Sequence, residues 1–353
     1  MLDEQKRPEG LNWIIACKDG FILSGLCSPE KKIGCTADTI RITLRDGFFY
    51  LNGKRFLKKQ FFIQPKADFL RFGKNDYRGS FLVVAHQGGA QLINCVELEN
   101  YVFAVLRSES WPGWPLEVNK VFAIVTRSYV ISKVLQARRN KKNFHIKNTR
   151  IHQTYNGHNF MIRNSKILQQ AVDETEKVFL EYNDEPIVAM FDSCCGGIVP
   201  SKVKGVDFDK APYLARNYPC KHCKRCKLYH WKMEYSLQEW TKLLRKKFPK
   251  LKKLRGIKVI SRDDAGLIQE VEVIGRKQHF SLTGKELYSL LDAVKSFCFF
   301  IRKNGKNILL RGRGYGHHMG LCQWGAREMV RDEWDYKKIL EFYYPGVTFV
   351  RLA

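Results

Sequence analysis

Along residues 38–96 the pattern of polar and apolar positions reads mainly as strands. "DTIRITL" (38–44) alternates polar and apolar from Thr39 on. "FFYLNGKRFL" (48–57) sets an Asn-Gly pair at 52–53 between two apolar runs, and "GSFLVVAHQGGAQLINCV" (79–96) reads as a further hairpin. At residue 97 the period changes. Leu98, Val102, Val105 and Leu106 fall on one face of a helix over 97–108. "SESWPGWPLEV" (108–118) interrupts it, and Pro115 suits the first turn of a second helix, where its missing amide would have no partner anyway. Val118, Val121, Phe122, Val125, Tyr129 and Leu135 describe that helix as long and largely buried; the basic run "ARRNKKN" (137–143) follows as an exposed loop.

Beyond residue 250 the strand pattern returns in "GIKVIS", a turn at "RDDAG", and "LIQEVEVIG". "TGKE" (283–286) has capping-box spacing and opens a short helix through Leu291. A second Asn-Gly pair at 304–305 separates "FFIRK" from "KNILLRG", and two helical segments, 321–332 and 336–343, end at Pro345-Gly346. There is no internal repeat. Runs of strands alternating with runs of helices predict an α+β fold rather than a regular parallel winding.

Composition adds an electrostatic constraint. The 353 residues carry 61 Lys and Arg against 35 Asp and Glu, a formal net charge of +26. A field of that sign favours an anionic partner, although a lysine-preferring lineage gives the same count. The run "KLLRKKFPKLKKLR" (242–255) lacks any accompanying nucleic-acid-binding pattern, so it reads as a solvated helix face and loop, and no nucleic acid is expected as partner. Neither the N-terminus nor any later stretch has an apolar run of signal or membrane-spanning length, so the expectation is a soluble chain.

Three places carry candidate chemistry. Glu109 stands at a helix end before two tryptophans; a carboxyl packed on indole loses hydration, which raises its pKa and suits a general acid, while a solvated helix-end glutamate fits the same letters. "DSCCGG" (192–197) reads as a tight turn with small buried thiols, with a thiol nucleophile as the alternative. "PCKHCKRC" places Cys220, Cys223 and Cys226 three apart. Cys-x2-Cys spacing lets thiolates share one tetrahedral zinc, and Cys194 or Cys195 supplies a distant fourth; Cys195 with Cys220, Cys223 and Cys226 is the set adopted for a structural zinc. A disulfide and an iron–sulfur ligand set stay open. With eleven cysteines, at least one lies outside any intramolecular disulfide.

Several ordered blocks resemble one family. "YVFAVLRSESWPGWPLEVNKVFAIVTRSY" (101–129), "AMFDSCCGGIV" (189–199) with "APYL" (211–214), "GRGYGHHMGLCQWGAREM" (312–329) and the tail "YKKILEFYYPG" are similar to blocks of the SpoIID/LytB family of sporulation and cell-wall proteins; Gln153, Tyr155 and Gly157 match its Q-Y-G block. The resemblance runs from about residue 38 to 352. It divides the chain into an N-terminal extension (1–37) and a catalytic region (38–353). That region comprises a mainly β lead-in (38–96), catalytic helices and cysteines (97–230), an α/β insertion (231–310) and the glycine-rich signature with C-terminal helices (311–353).

The resemblance implies a crescent-shaped α+β fold with a glycan-binding cleft, and a lytic transglycosylase that cuts between N-acetylmuramic acid and N-acetylglucosamine. Glycan already stripped of peptide by an amidase is the implied substrate, and the bacterial cell envelope the implied place, with signal or anchor absent from these residues. Other members are described as amidase enhancers, so a non-catalytic glycan-binding partner of an amidase is the alternative. The family's essential carboxylate falls on Glu109. Ser108, Trp111, Arg127, Tyr129, Gln153, Tyr155, His317, Gln323 and Trp324 fall in blocks implied to line the substrate cleft. In this reading the glycines of 312–325 let the backbone approach a sugar chain. No cofactor is required for the chemistry. Some members bind zinc near the Q-Y-G block through Cys and His, but this chain has no cysteine between 96 and 193, which favours the later cluster. The departures are His318 in place of a glycine, "LCQWG" in place of "MSQWG", and Ser110 after the glutamate.

Overall fold

The alternating segments fold into two six-stranded antiparallel sheets in the computed structural model, which describes all residues except 7–9, 26–27, 87–88, 112, 150–151, 159–164 and 292–293. One sheet runs in the order Asp3–Gln5, Gly89–Cys95, Ser80–His86, Gln60–Pro65, Phe21–Gly25, Ser28–Cys35; the other runs Asn75–Tyr77, Leu70–Phe72, Asn12–Ala16, Thr39–Arg45, Phe48–Leu51, Lys54–Phe56. Strands from residues 3–35 therefore pair directly with strands from 39–95, as in Trp13 opposite Ile42 and Leu23 opposite Ile63. Both sheets contribute to one apolar core, where Trp13, Ile15, Ile42, Phe49, Phe61, Phe81 and Leu92 are buried. The Asn52-Gly53 turn has both residues at positive φ, which asparagine and glycine tolerate best. The 79–96 hairpin pairs Ser80–His86 with Gly89–Cys95, and its turn at 87–88 lies outside the described residues.

These strands and three helices form one compact unit, residues 1–179 with 351–353. Helix α1 (Leu98–Glu109) and helix α2 (Leu116–Arg139) are joined by a short connection with Pro115 as N-cap; α2 runs through Arg139, so the first part of the basic run is helical rather than loop. Residues 118–130 of α2 are buried except Lys120, hence its weak amphipathicity in sequence. Helix α3 (Ser165–Glu174) has a strong apolar face of Leu168, Ala171 and Val172.

A second unit covers residues 180–350. It holds two three-stranded antiparallel sheets, His230–Ser236/Asn307–Arg313/Phe299–Asn304 and Leu254–Arg262/Ile268–Gly275/His279–Thr283. Helix α4 (Leu237–Arg245) and helix α5 (Gly284–Leu290) each start in a full capping box, Ser236 with Glu239 and Thr283 with Glu286. Trp240, Leu244, Val271, Val273, Leu287 and Leu310 share its core. The hairpin after Asn304 turns at Gly305-Lys306, one residue later than the Asn-Gly pair suggests. Helix α6 (Gln323–Arg331) and helix α7 (Tyr336–Tyr343) close the unit, and a short parallel pairing sets Phe191 beside Leu321 and Asp192 beside Cys322. The fold class is α+β. Among the described residues no helix is long and apolar enough to cross a membrane.

Candidate functional site

Glu109 is the last residue of α1 and is half-buried. Its Oε1 accepts the backbone N–H of Thr154 at 2.8 Å. That amide belongs to the extended stretch 152–155, which is fastened residue by residue. The Tyr129 hydroxyl and His152 Nδ1 are 2.8 Å apart, the Tyr101 hydroxyl donates to Gln153 Oε1 at 3.0 Å, and the Tyr155 hydroxyl donates to Asn94 at 2.6 Å. Burial pushes the Tyr129 hydroxyl up to about 12, while burial and nearby lysines push His152 down. Both are therefore neutral at pH 7, so the phenol donates and the imidazole accepts. Tyr155 also stacks on Tyr101, ring centres 5.1 Å apart. The Q-Y-G block thus holds an amide against the carboxylate, and Gly157 is required because a Cβ there would strike the Asp76 carbonyl.

The other assigned residues of this unit divide by exposure. Arg127 is 0% exposed, and its guanidinium makes a bidentate pair with Glu99 (2.9 and 2.6 Å) and donates to the Val178 carbonyl. It braces α2 against α1 and is closed to a substrate, contrary to its assignment from the sequence. Gln153 and Tyr155 are likewise buried and act through the fold. Ser108 donates back to the Ala104 carbonyl four residues earlier. Trp111 is 42% exposed, whereas Trp114 is buried and stacked on Phe122. Of the two indoles that follow Glu109, Trp111 is the one with an exposed face. Asn119 fixes the connection between the helices: it accepts the Ser110 hydroxyl and donates to the Trp114 and Pro115 carbonyls.

In the second unit the glycine-rich stretch meets protein at each of its glycines. A Cβ on Gly312 would strike the Trp231 ring, on Gly314 the His318 ring, on Gly316 the Asp192 side chain, on Gly320 the Met190 carbonyl and on Gly325 the Tyr343 hydroxyl. Gly314, Gly316 and Gly320 also have positive φ. The glycines serve close internal packing, with Gly314, Gly316 and Gly320 against residues 190–196, rather than an approach to sugar. His318 is part of this packing. It is fully buried at φ 69°, its N–H donates to Asp192 Oδ2 at 2.7 Å, and its Nδ1–H donates to the Cys195 carbonyl at 2.9 Å. Burial pushes its imidazole down to about 4 and the Asp192 carboxyl well up. His317 is half-buried, accepts the Met319 N–H at Nδ1 and is pushed down to about 4 by desolvation. Gln323 is 3% exposed; Trp324 is half-buried, with the Arg327 guanidinium 5.2 Å from its ring centre. His317 and Trp324 keep accessible surface, and Gln323 does not.

The same packing gathers thiols. The sulfurs of Cys195, Cys220, Cys223 and Cys322 lie within 4.8 Å of one another, and all four side chains are buried. Cys322, not Cys226, completes the set. The Cys226 sulfur instead accepts the Leu228 N–H at 3.2 Å. The described cysteines are all free thiols, so the disulfide alternative fails for them.

Comparison with known proteins now bears on this arrangement. An uncharacterized protein of Brachyspira hyodysenteriae is 30% identical over 279 residues, 78% of this chain and 72% of that protein. Stage II sporulation protein D of Bacillus subtilis is 25% identical over 267 residues, 72% of this chain and 75% of that protein. The family profile described as Stage II sporulation protein matches residues 86–182, and a profile for a domain of unknown function matches 211–320. The chain belongs to the SpoIID/LytB family. The amidase enhancer of Bacillus subtilis, another relative, is 24% identical over 294 residues, 69% of this chain and 39% of that protein.

The SpoIID profile covers Glu109 and every first-unit residue discussed around it except Asp76. Two contributors have no signal in the sequence. The Thr154 amide is backbone and carries no residue preference, and Glu99 lies 28 positions from Arg127 among ordinary helix-surface glutamates. Cys322 did carry a signal, since it stands where the SpoIID/LytB signature has serine.

Proposed function

We propose that this SpoIID/LytB member is a lytic transglycosylase of the bacterial cell envelope that cleaves peptide-stripped glycan strands, with Glu109 as its acid and base. The observation that carries the proposal is the Glu109 carboxyl at the end of α1, oriented by the Thr154 amide within the segment matched to the family. Glu109 protonates the glycosidic oxygen as the bond from muramic acid C1 breaks. The carboxylate then takes the proton from the 6-hydroxyl as O6 bonds to C1, which closes a 1,6-anhydro ring and returns the proton to Glu109 without consuming water. One carboxyl suffices because the nucleophile is the 6-hydroxyl of the sugar itself and no water has to be activated. Trp111 supplies a stacking face, and the +26 charge suits strands whose muramic acids carry free lactyl carboxylates.

The relative described as an amidase enhancer favours a second reading, a glycan-binding partner that stimulates an amidase without cutting glycan. Mass spectrometry of stripped strands separates the two. Wild type should produce 1,6-anhydro ends, and Glu109→Gln should slow their formation by about 10³-fold. Anhydro ends made equally fast by Glu109→Gln would end the catalytic reading; stimulation of an amidase with no such ends at all would select the second.

A further inference from the structure

Four thiols from three distant parts of the second unit converge. Cys195 follows the strand Phe191–Asp192, Cys220 and Cys223 flank the start of a single 3-10 turn at His222–Arg225, and Cys322 is the N-cap of α6. The Cys195 and Cys223 sulfurs are 3.7 Å apart. Two ligands on a tetrahedral zinc with Zn–S bonds of about 2.3 Å stand about 3.8 Å apart. An iron–sulfur cluster spreads its four thiolates over two or more irons, whereas all four sulfurs here lie within 4.8 Å of one another, so the arrangement suits a single ion.

Donors already face the sulfurs. The N–H groups of Cys195 (3.2 Å) and Gly325 (3.4 Å) point at Cys322 Sγ, and the Tyr343 hydroxyl is 3.2 Å from Cys220 Sγ. Such N–H and O–H contacts stabilise charge on thiolates. A Cβ on Gly325 would lie 2.8 Å from the Cys220 sulfur, so glycine keeps the nest open. A separate observation is Arg216. It is 1% exposed, lies over the Tyr343 ring at 5.6 Å from its centre, and its Nε and Nη2 have no hydrogen-bond partner among the described residues. Four thiolates around one divalent ion carry a net charge of −2, and a buried guanidinium one ring away from Cys220 offsets part of it.

We propose that Cys195, Cys220, Cys223 and Cys322 bind one structural zinc ion that ties the glycine-rich stretch to residues 192–197 and 220–223. This site lies in a different part of the chain from the Q-Y-G block, is closed to solvent, and takes no part in the chemistry of Glu109. It follows that the conformation of residues 312–325 depends on metal.

Metal analysis of the full chain purified under reducing conditions tests the site, with titration of the chelator-stripped protein by zinc against a chromophoric chelator. Wild type should hold one zinc per chain. Cys322→Ser and Cys223→Ser should weaken zinc by more than the roughly 10–100-fold that losing an outer partner costs, while Cys226→Ser keeps wild-type affinity. Equal loss from Cys226→Ser and Cys322→Ser would overturn the ligand set. Iron in place of zinc, or no metal in wild type, would overturn the site. Cobalt replacement in wild type guards against variants that do not fold: the thiolate-to-cobalt absorption should count four sulfur ligands, and a count of two or three would overturn the proposal.

Discussion

The surroundings of Glu109 and the glycine-rich stretch 312–325 are both dense in family residues, yet they are built in opposite ways. Around Glu109 the structure is held by side chains. Tyr101, Tyr129, Tyr155, Asn119 and the Arg127–Glu99 pair each fix a piece of the structure, and the Thr154 amide is thereby held on the Glu109 carboxyl. In 312–325 the structure is held by the absence of side chains, because five glycines let two backbones and a thiol nest come close. A motif rich in polar residues and a motif rich in glycine look equally functional as text. In the first a half-buried carboxyl stands at the centre; in the second the centre is the fully buried His318.

The largest stability effect that tests this contrast is Arg127→Ala. It leaves the half-buried Glu99 without its cation and empties the space of a fully buried guanidinium, and should cost about 3 kcal/mol in chemical denaturation. A change near zero would mean that Arg127 is not the brace described here and would reopen a substrate role. Next comes acid. Burial, with Arg78 and Arg107 close by, pushes His158 down to about 4. The unfolded chain takes up that proton near pH 6.5, so the contribution is complete above pH 6.5 and is lost as pH falls toward 4, on the order of 3 kcal/mol. Amide exchange in the first unit across that range should follow this slope in wild type, and His158→Phe should flatten it; parallel profiles would refute the assignment.

A smaller change sharpens the other side of the comparison. Gly320→Ala forces a Cβ toward the Met190 carbonyl at φ 70° and should cost about 1–3 kcal/mol, read as a lowered melting temperature. An unchanged melting temperature would return the glycines to the sugar-facing role. The smallest stability effect belongs to Trp111→Ala. The exposed indole should shift stability by no more than about 0.5 kcal/mol while weakening retention on stripped glycan strands, and unaltered retention would remove Trp111 from the binding face.

Much of this was legible in the sequence. The alternation of 38–44, the Asn52-Gly53 turn, the 79–96 hairpin and the capping box at 283–286 were correct locally, and α1, α2 and α7 fell within a few residues of their observed limits. Short-range patterning of this kind is set by neighbours in the chain. The strands of 3–35 escaped it, because Asn12–Ala16 carries an isoleucine, Ile14, on its exposed face and Phe21–Gly25 is buried at four of its five residues, so neither alternates as text.

By itself the sequence determined the α+β class, the family and the carboxyl on which a mechanism would depend, since each rests on local pattern or ordered motif. Tertiary structure alone decided what those motif residues do. Arg127 became a brace because Glu99 and the Val178 carbonyl meet it in the fold, and His318 became a clip because Asp192 and the Cys195 carbonyl do. Cys322 replaced Cys226 in the thiol nest because a parallel pairing of Asp192 with Cys322 joins residues 130 positions apart, a distance that no spacing rule spans.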